Sequence, residues 1–259
     1  MNEWLYVFAS AIVAIGGYFI RSLSISGAIA AVLVGTIVGK GFSWKGMILL
    51  GIFFVSSSIW SKIGKKRKQQ LMEKVEKGEC RDYIQVFANG GVPALISFLS
   101  ILNPSPLWLN LFIISIAAAN ADTWASEIGS LSRQAPRLLP NFKKAEVGTS
   151  GAVTLLGTIA AFLGAAFIGF ASAFQWDNIS IMTVAFFGWL GSFFDTLFGA
   201  AWQTVYRCPV CGLKTERKEH CGQKTVHIKG SRFVNNDVVN VLSIACSTII
   251  YVFVIYLGK

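Results

Sequence analysis

The sequence predicts an all-α, polytopic membrane protein with about eight transmembrane helices and an internal repeat. Apolar residues make up 54% of the 259 residues and charged ones only 14%. The mean hydropathy is +0.57. Several apolar runs reach the roughly 17–25 residues that a spanning helix needs. No polar stretch is long enough to fold separately. The chain therefore reads as a single transmembrane domain over 1–259, with loops at 61–83, 129–148 and 203–236.

The spans follow from these runs in order. "EWLYVFASAIVAIGGYFI" gives 4–20; it is too uniformly apolar for a secretion leader and is expected to remain as a span. Two short runs, 25–39 and 46–60, flank "KGFSWKG" and suit a tight helical hairpin. The fourth, 84–102, stops at "NPSP", and the fifth, 107–128, opens on "LWLNLFIISIAAA". Spans 149–171, 180–202 and 237–257 complete the set, the seventh rich in Gly and Phe.

Charge fixes the orientation. The net charge of +10 comes from 23 Lys and Arg against 13 Asp and Glu. In a soluble protein that excess would suggest nucleic acid. Here all but Lys40, Lys45 and Lys259 fall in connections that eight spans place on one side. The positive-inside rule then puts both termini outside and every long loop in the cytoplasm. No nucleic-acid partner is expected.

Polar residues gather at the cytoplasmic span ends. Asn120, Asp122, Ser126 and Glu127 close span five, and Asp122 and Ser126 share a face. Asn89 lies early in span four, Asp195 late in span seven, and Asn236, Asp237 and Asn240 open span eight. Charge at membrane depth is costly and marks function. Carboxylate and carboxamide oxygens are hard ligands suited to Mg²⁺ with substrate phosphates. Lys143 and Lys144 stand ready for further phosphate charge. "GTSGA", with Thr149 and Ser150, is read as a helix start whose N–H groups would receive an anion.

Two further patterns stand out. "SISGAIAAVLVGTIVG" at 24–39 echoes "GTSGAVTLLGTIAAFLG" at 148–164, and Asp122 and Asp195 both precede Thr. That is the suggestion of a repeat, which on its own would also suit a transporter of an ion or small anion. "CPVCGLKTERKEHCG" places Cys208, Cys211 and Cys221 in a reducing loop, where C-x₂-C plus a third Cys fits a structural zinc knuckle. Either His220 or His227 could be the fourth ligand, and His227 is taken as the expected one.

"RDYIQVFANGG", "NADTWASEIG", "KKAEVGTSGA", "FFDTLFGA", the Cys-x-x-Cys loop and "NNDVVN" together resemble an integral-membrane family. It includes the plant phytyl-phosphate kinase and the animal transmembrane protein 19. More distantly, the chain is similar to CTP-dependent dolichol kinases and CDP-diacylglycerol synthases. Asp122, Lys143, Lys144, Glu146 and Gly148 match that group's pattern, although Asn141-Phe142 stand where Ser-Pro usually precedes the lysines.

The resemblance implies phosphoryl transfer from CTP to an isoprenyl monophosphate in the membrane lipid. A prenol kinase or a lipid cytidylyltransferase is the alternative. Asp122, Asp195 and Asp237 would hold Mg²⁺, with Glu127 as a further ligand or base. Asn89, Asn120, Ser126, Lys143, Lys144, Thr149, Ser150, Asn236 and Asn240 would bind substrate.

Overall fold

The computed structural model describes residues 3–64, 68, 73–139 and 142–258. Lys65, Lys66 and Arg67 of the first basic loop, Asn141 and Lys259 lie outside the described residues. The described chain is mostly helical: α1 (Trp4–Phe19), α2 (Ile25–Lys62), α3 (Tyr83–Leu102), α4 (Pro106–Gly129), α5 (Leu155–Ala173), α6 (Ile181–Ala201) and α7 (Asn236–Leu257). Five of these, α2, α3, α5, α6 and α7, are long and apolar enough to cross a membrane. α4 is not among them, because Asn110, Asn120, Asp122 and Glu127 interrupt its apolar run.

α2 is 38 residues long. Unbroken it would measure about 57 Å, nearly twice the ~30 Å hydrocarbon core. It breaks at Phe42 and Ser43, with Ser43 at φ 58°. The halves fold back on each other, for Gly39 lies against Met47 and Gly46 against Val38. The hairpin expected at "KGFSWKG" is therefore present, although its two arms count as one helix.

The bundle is organised around α4. Every residue from Leu111 to Ala121 is buried, and α2, α3, α5, α6 and α7 all pack against it. A helix apolar on all sides belongs in the interior. Lipid is as apolar as leucine, so close packing rather than water exclusion holds such a helix. Small residues allow it: a Cβ on Gly188 would sit 2.7 Å from the Ala117 Cβ, and one on Gly191 2.5 Å from that of Ala118. Large side chains such as Phe8, Ile29, Leu163 and Phe253 point outward from the surrounding helices.

The long connections meet at one end of the bundle. Lys74 pairs with Glu146, Thr215 Oγ1 donates to the Lys74 carbonyl, and Ser150 Oγ donates to Glu216. Elsewhere, Lys40 pairs with Glu3 and Lys45 sits over the Trp176 ring. The connections are not the featureless loops that an all-α reading expects. β1 (Arg137–Leu138) pairs antiparallel with β2 (Ala152–Val153). The last long loop carries β3 (Val205–Arg207), β4 (Lys214–Thr215), β5 (Glu219–His220), β6 (Gln223–Lys224) and β7 (Val226–Lys229). These form a three-stranded sheet of order β4-β3-β7 and a β5-β6 hairpin.

The sequence echo falls on unlike local structure. Ser26-Gly27-Ala28 lies in the first turn of α2, capped by Ser24. Ser150-Gly151-Ala152 is a turn running into β2, and α5 starts only at Leu155 with Thr154 as its cap. "GTSGA" is thus not a helix start. Gly148 and Gly151 adopt φ of 82° and 79°, a region open to glycine without strain. A Cβ at Gly151 would also strike Ala200 at 2.4 Å.

Candidate functional site

A cavity of about 630 Å³ opens where the long connections meet the ends of α4, α6 and α7. The centre of α4 is shielded from lipid by its neighbours, which is what permits carboxylates on its last turns. Asp122 of α4 and Asp195 of α6 both line the cavity, and their carboxyl groups lie within hydrogen-bonding reach of one another. Among the described residues neither makes an ion pair. Asn240 of α7, its amide oriented to face its acceptors, donates to Asp195 Oδ2 and to the Asn236 carbonyl, both at 3.0 Å.

Asp237 and Asn236, which open α7, also line the cavity. Asp237 is buried, and Lys77 Nζ donates to its Oδ2 at 2.6 Å. Lys77 also pairs with Asp82 at 3.1 Å, the residue whose capping box starts α3. Burial lowers the Lys77 ammonium, but the bonds to Asp237 and Asp82 outweigh it and hold the group above its ordinary value. Lys77 therefore stays charged at the cavity wall.

Elsewhere in the lining, Glu127 accepts from Ser61 Oγ at 2.8 Å and pairs with Lys68. Glu127, Ser126, Thr149 and Ser150 all line the cavity. A further carboxyl comes from the cysteine loop. Glu216 accepts from Gln203 Nε2 at 2.7 Å and from Ser150 Oγ at 3.1 Å. Burial pushes its carboxyl up to about 7, against the Ser150 hydrogen bond and with the fields of Glu76 and Asp237 adding to the rise. Apolar residues complete the walls: Gly157 and Ala161 of α5, Trp189 and Phe193 of α6. Phe193 is also a partly exposed large apolar side chain.

Several residues singled out in the sequence lie elsewhere. Asn120 is fully buried below the cavity, where it accepts from Ser56 Oγ at 3.0 Å and donates to the Gly164 carbonyl at 2.7 Å. It ties α4 to α2 and α5. Asn89 faces a separate apolar cavity between α1, α2 and α3, and its amide donates to the Gln85 carbonyl. Lys143 and Lys144 are exposed and do not line the cavity. Among the described residues, Lys68 and Lys77 are the cations that do. Sequence reasoning passed over Lys77, Gln203 and Glu216 because none belongs to a span. The available signal was their position in basic loops that had to converge.

The cysteine loop gathers a second cluster. Ligand atoms of Cys208, Cys211, His220 and Cys221 all lie within 4.8 Å of one another. His220 Nδ1 is 3.5 Å from Cys211 Sγ and 3.2 Å from Cys221 Sγ. A tetrahedral zinc with usual bond lengths sets nitrogen–sulfur edges of about 3.5 Å. His227 is not the fourth member: β7 pairs it with β3, and its ring packs edge-on against Tyr206.

The family described as "Integral membrane protein DUF92" matches residues 8–248. An uncharacterized membrane protein of Methanocaldococcus jannaschii is 36% identical over 186 residues, covering 71% of this chain and 76% of its own. Protein PGR of Arabidopsis thaliana is 28% identical, covering 92% and 91%. The chloroplastic protein VTE6 of Arabidopsis thaliana is 26% identical, covering 89% of this chain but 65% of its own length. No solved structure matches.

Proposed function

Since the chain belongs to the DUF92 family of integral membrane proteins, we propose that it is a membrane-embedded, Mg²⁺-dependent phosphotransferase that converts an isoprenyl monophosphate to the diphosphate, with CTP as donor. The observation that carries this reading is the pairing of Asp122 with Asp195 in a cavity lined by Lys68 and Lys77 as well as by apolar helix surface. Support for the substrate class comes from the resemblance to the family that includes the plant phytyl-phosphate kinase, together with the 26% identity to the chloroplastic protein VTE6. The resemblance to CTP-dependent lipid kinases supplies the nucleotide.

The donor set suits the cofactor. Two facing carboxyls, without a basic partner among the described residues, form a hard-oxygen site of the kind that binds Mg²⁺ together with phosphates. Asp122 and Asp195 would hold the ion, with Asp237 nearby, and the bound ion would neutralise charge on the transferring phosphoryl group. Lys77 and Lys68 offer ammonium groups for phosphate oxygens. Asn240 fixes the Asp195 carboxylate. An oxygen of the acceptor monophosphate attacks the γ-phosphorus, the bond from that phosphorus to the bridging oxygen breaks, and CDP leaves. The acceptor is already anionic, so no strong base is required. Trp189, Phe193 and the small residues of α5 would receive the first isoprene units from the membrane side.

The basic connections meet at one end of the bundle, and the positive-inside rule assigns that end to the cytoplasm, where CTP is found. Counting both arms of α2 and including α1 and α4, eight segments would cross, leaving both termini outside.

The test is direct. Purified protein is incubated with Mg²⁺, CTP and geranylgeranyl monophosphate, and the nucleotide products are separated. CDP with lipid diphosphate is the expected result. CDP-lipid with pyrophosphate would instead establish a cytidylyltransferase. Intact CTP across lipid phosphates and prenols would overturn the enzyme reading in favour of transport.

A further inference from the structure

The two clusters are joined by one short hairpin. β3 runs directly into Cys208, the Cys208–Cys211 turn reverses the chain, and β4 returns to Glu216. Only two residue pairs, Tyr206 with Thr215 and Arg207 with Lys214, hold the strands in register. β7 holds the other edge of β3, so the weakly held strand is β4, at the edge of the sheet on a ladder too short to be stable by itself. Its far end carries Gln203 and Glu216, hydrogen-bonded to each other and both in the cavity wall. The same end grips the segment that bears Lys77: Glu216 N–H and Thr215 Oγ1 donate to the Lys74 carbonyl at 2.8 and 2.9 Å, and Arg217 Nε to the Val75 carbonyl at 2.9 Å.

The turn itself has the form of a metal knuckle. Gly212 and Gly222, each directly after a cysteine, adopt φ of 74° and 72°, and Cys221 itself is left-handed at 52°. A non-glycine residue held in that region costs free energy and persists where something over-determines it. Cys208 N–H donates to the Leu213 carbonyl and Gly212 N–H to the Cys208 carbonyl, closing the loop around the sulfurs. Three thiols with one imidazole at this spacing select a soft, tetrahedral ion.

We propose that Cys208, Cys211, His220 and Cys221 bind one Zn²⁺, and that this ion holds the β3–β4 hairpin so that its base forms the outer wall of the carboxylate cavity and anchors the Lys77 segment. Gln203 and Glu216 are thereby positioning residues whose placement depends on a metal about 10 Å (Glu216) to about 16 Å (Gln203) away along the strands, at ~3.3 Å per residue. The cavity is then complete only in the zinc-loaded protein.

The experiment uses the full chain in detergent. Metal analysis should find one zinc per chain, and none after treatment with a strong chelator or in Cys221→Ser. Amide hydrogen exchange over residues 203–217 and 73–77 should accelerate at least tenfold on zinc removal and recover on adding zinc back, while α4 and α6 keep their protection. Recovery separates loss of the ion from misfolding, and Cys80→Ser serves as a control that should retain both zinc and protection. Absence of zinc from the purified protein overturns the proposal. So does zinc loss that leaves exchange at 203–217 and 73–77 unchanged. Neither readout depends on turnover, so the result stands apart from the outcome of the kinase assay.

Discussion

The two ligand clusters are built in opposite ways. Cys208, Cys211, His220 and Cys221 come from a single loop of fourteen residues, so local turns suffice to gather them. Asp122, Asp195 and Asp237 come from α4, α6 and α7 and meet only when those helices pack. A local cluster of soft ligands can take up its ion as the loop closes and contribute that binding energy to folding. A cluster of hard ligands drawn from distant helices has to be held by the fold before any ion arrives. The first is suited to a structural ion and the second to an ion exchanged with substrate.

The sharpest way to break this contrast is to disable one cluster and measure the other. Asp122→Asn or Asp195→Asn should lower turnover with CTP by about 10²-fold or more, the scale of removing a charge-stabilising group from a phosphoryl-transfer site. Metal analysis of the same variants should still find zinc. Full activity in a folded Asp122→Asn protein would remove that residue from the mechanism. Gly191→Val attacks the helix packing instead. Its Cβ would meet that of Ala118 at 2.5 Å, and overpacking costs about 1–3 kcal/mol. It should lower the thermal midpoint in detergent and reduce activity, because α6 carries Asp195.

Smaller effects sharpen the picture further. Lys77→Met should raise KM for the nucleotide about tenfold, equivalent to ~1.4 kcal/mol, with kcat less affected. Lys144→Ala should change neither parameter by more than about twofold, since exposed charges contribute little.

Glu216 gives a pH-dependent case. Its carboxyl is raised to about 7 by burial, with Ser150 and Gln203 hydrogen-bonded to it and Glu76, Asp237 and Asp195 acting on it or affected by it. An acid with a raised folded pKa adds stability below its unfolded value, and that stability is lost as pH rises through 7. Between pH 5 and 8, measured without divalent metal, the wild type should therefore lose stability relative to Glu216→Gln. With the group only half-buried, the difference should be about 1 kcal/mol, or ~2–4 °C. Parallel melting curves for the two proteins would remove Glu216 from this role.

These differences also explain what the sequence could reveal. Helices were legible because twenty-residue apolar runs have few alternatives, and the break at Ser43 was foreshadowed by two lysines and two glycines between short runs. Asp122, Asp195 and Asp237 were legible because acids at span ends are rare. Asn120 looked equivalent to Asp122, yet the two-residue offset turns its side chain toward α2 and α5 rather than into the cavity. Lys143 and Lys144 looked suitable by sequence proximity, but the β1–β2 pairing leaves them outside. Three cysteines were plain; the choice of His220 over His227 depended on strand pairing, which two- to four-residue strands scarcely announce.

The character of α4 has a consequence for how the chain enters the bilayer. Its polar residues keep it out of the set of helices apolar enough to partition by themselves, although it occupies the centre of the finished protein. Only residues 103–105 separate it from α3, with Ser105 capping and Pro106 opening the new helix. Insertion of α4 is thus a cooperative act with its predecessor. The translocation machinery should release the two as a helical pair, and a reporter fused after α4 alone should be left unintegrated where one fused after α3 and α4 together is not.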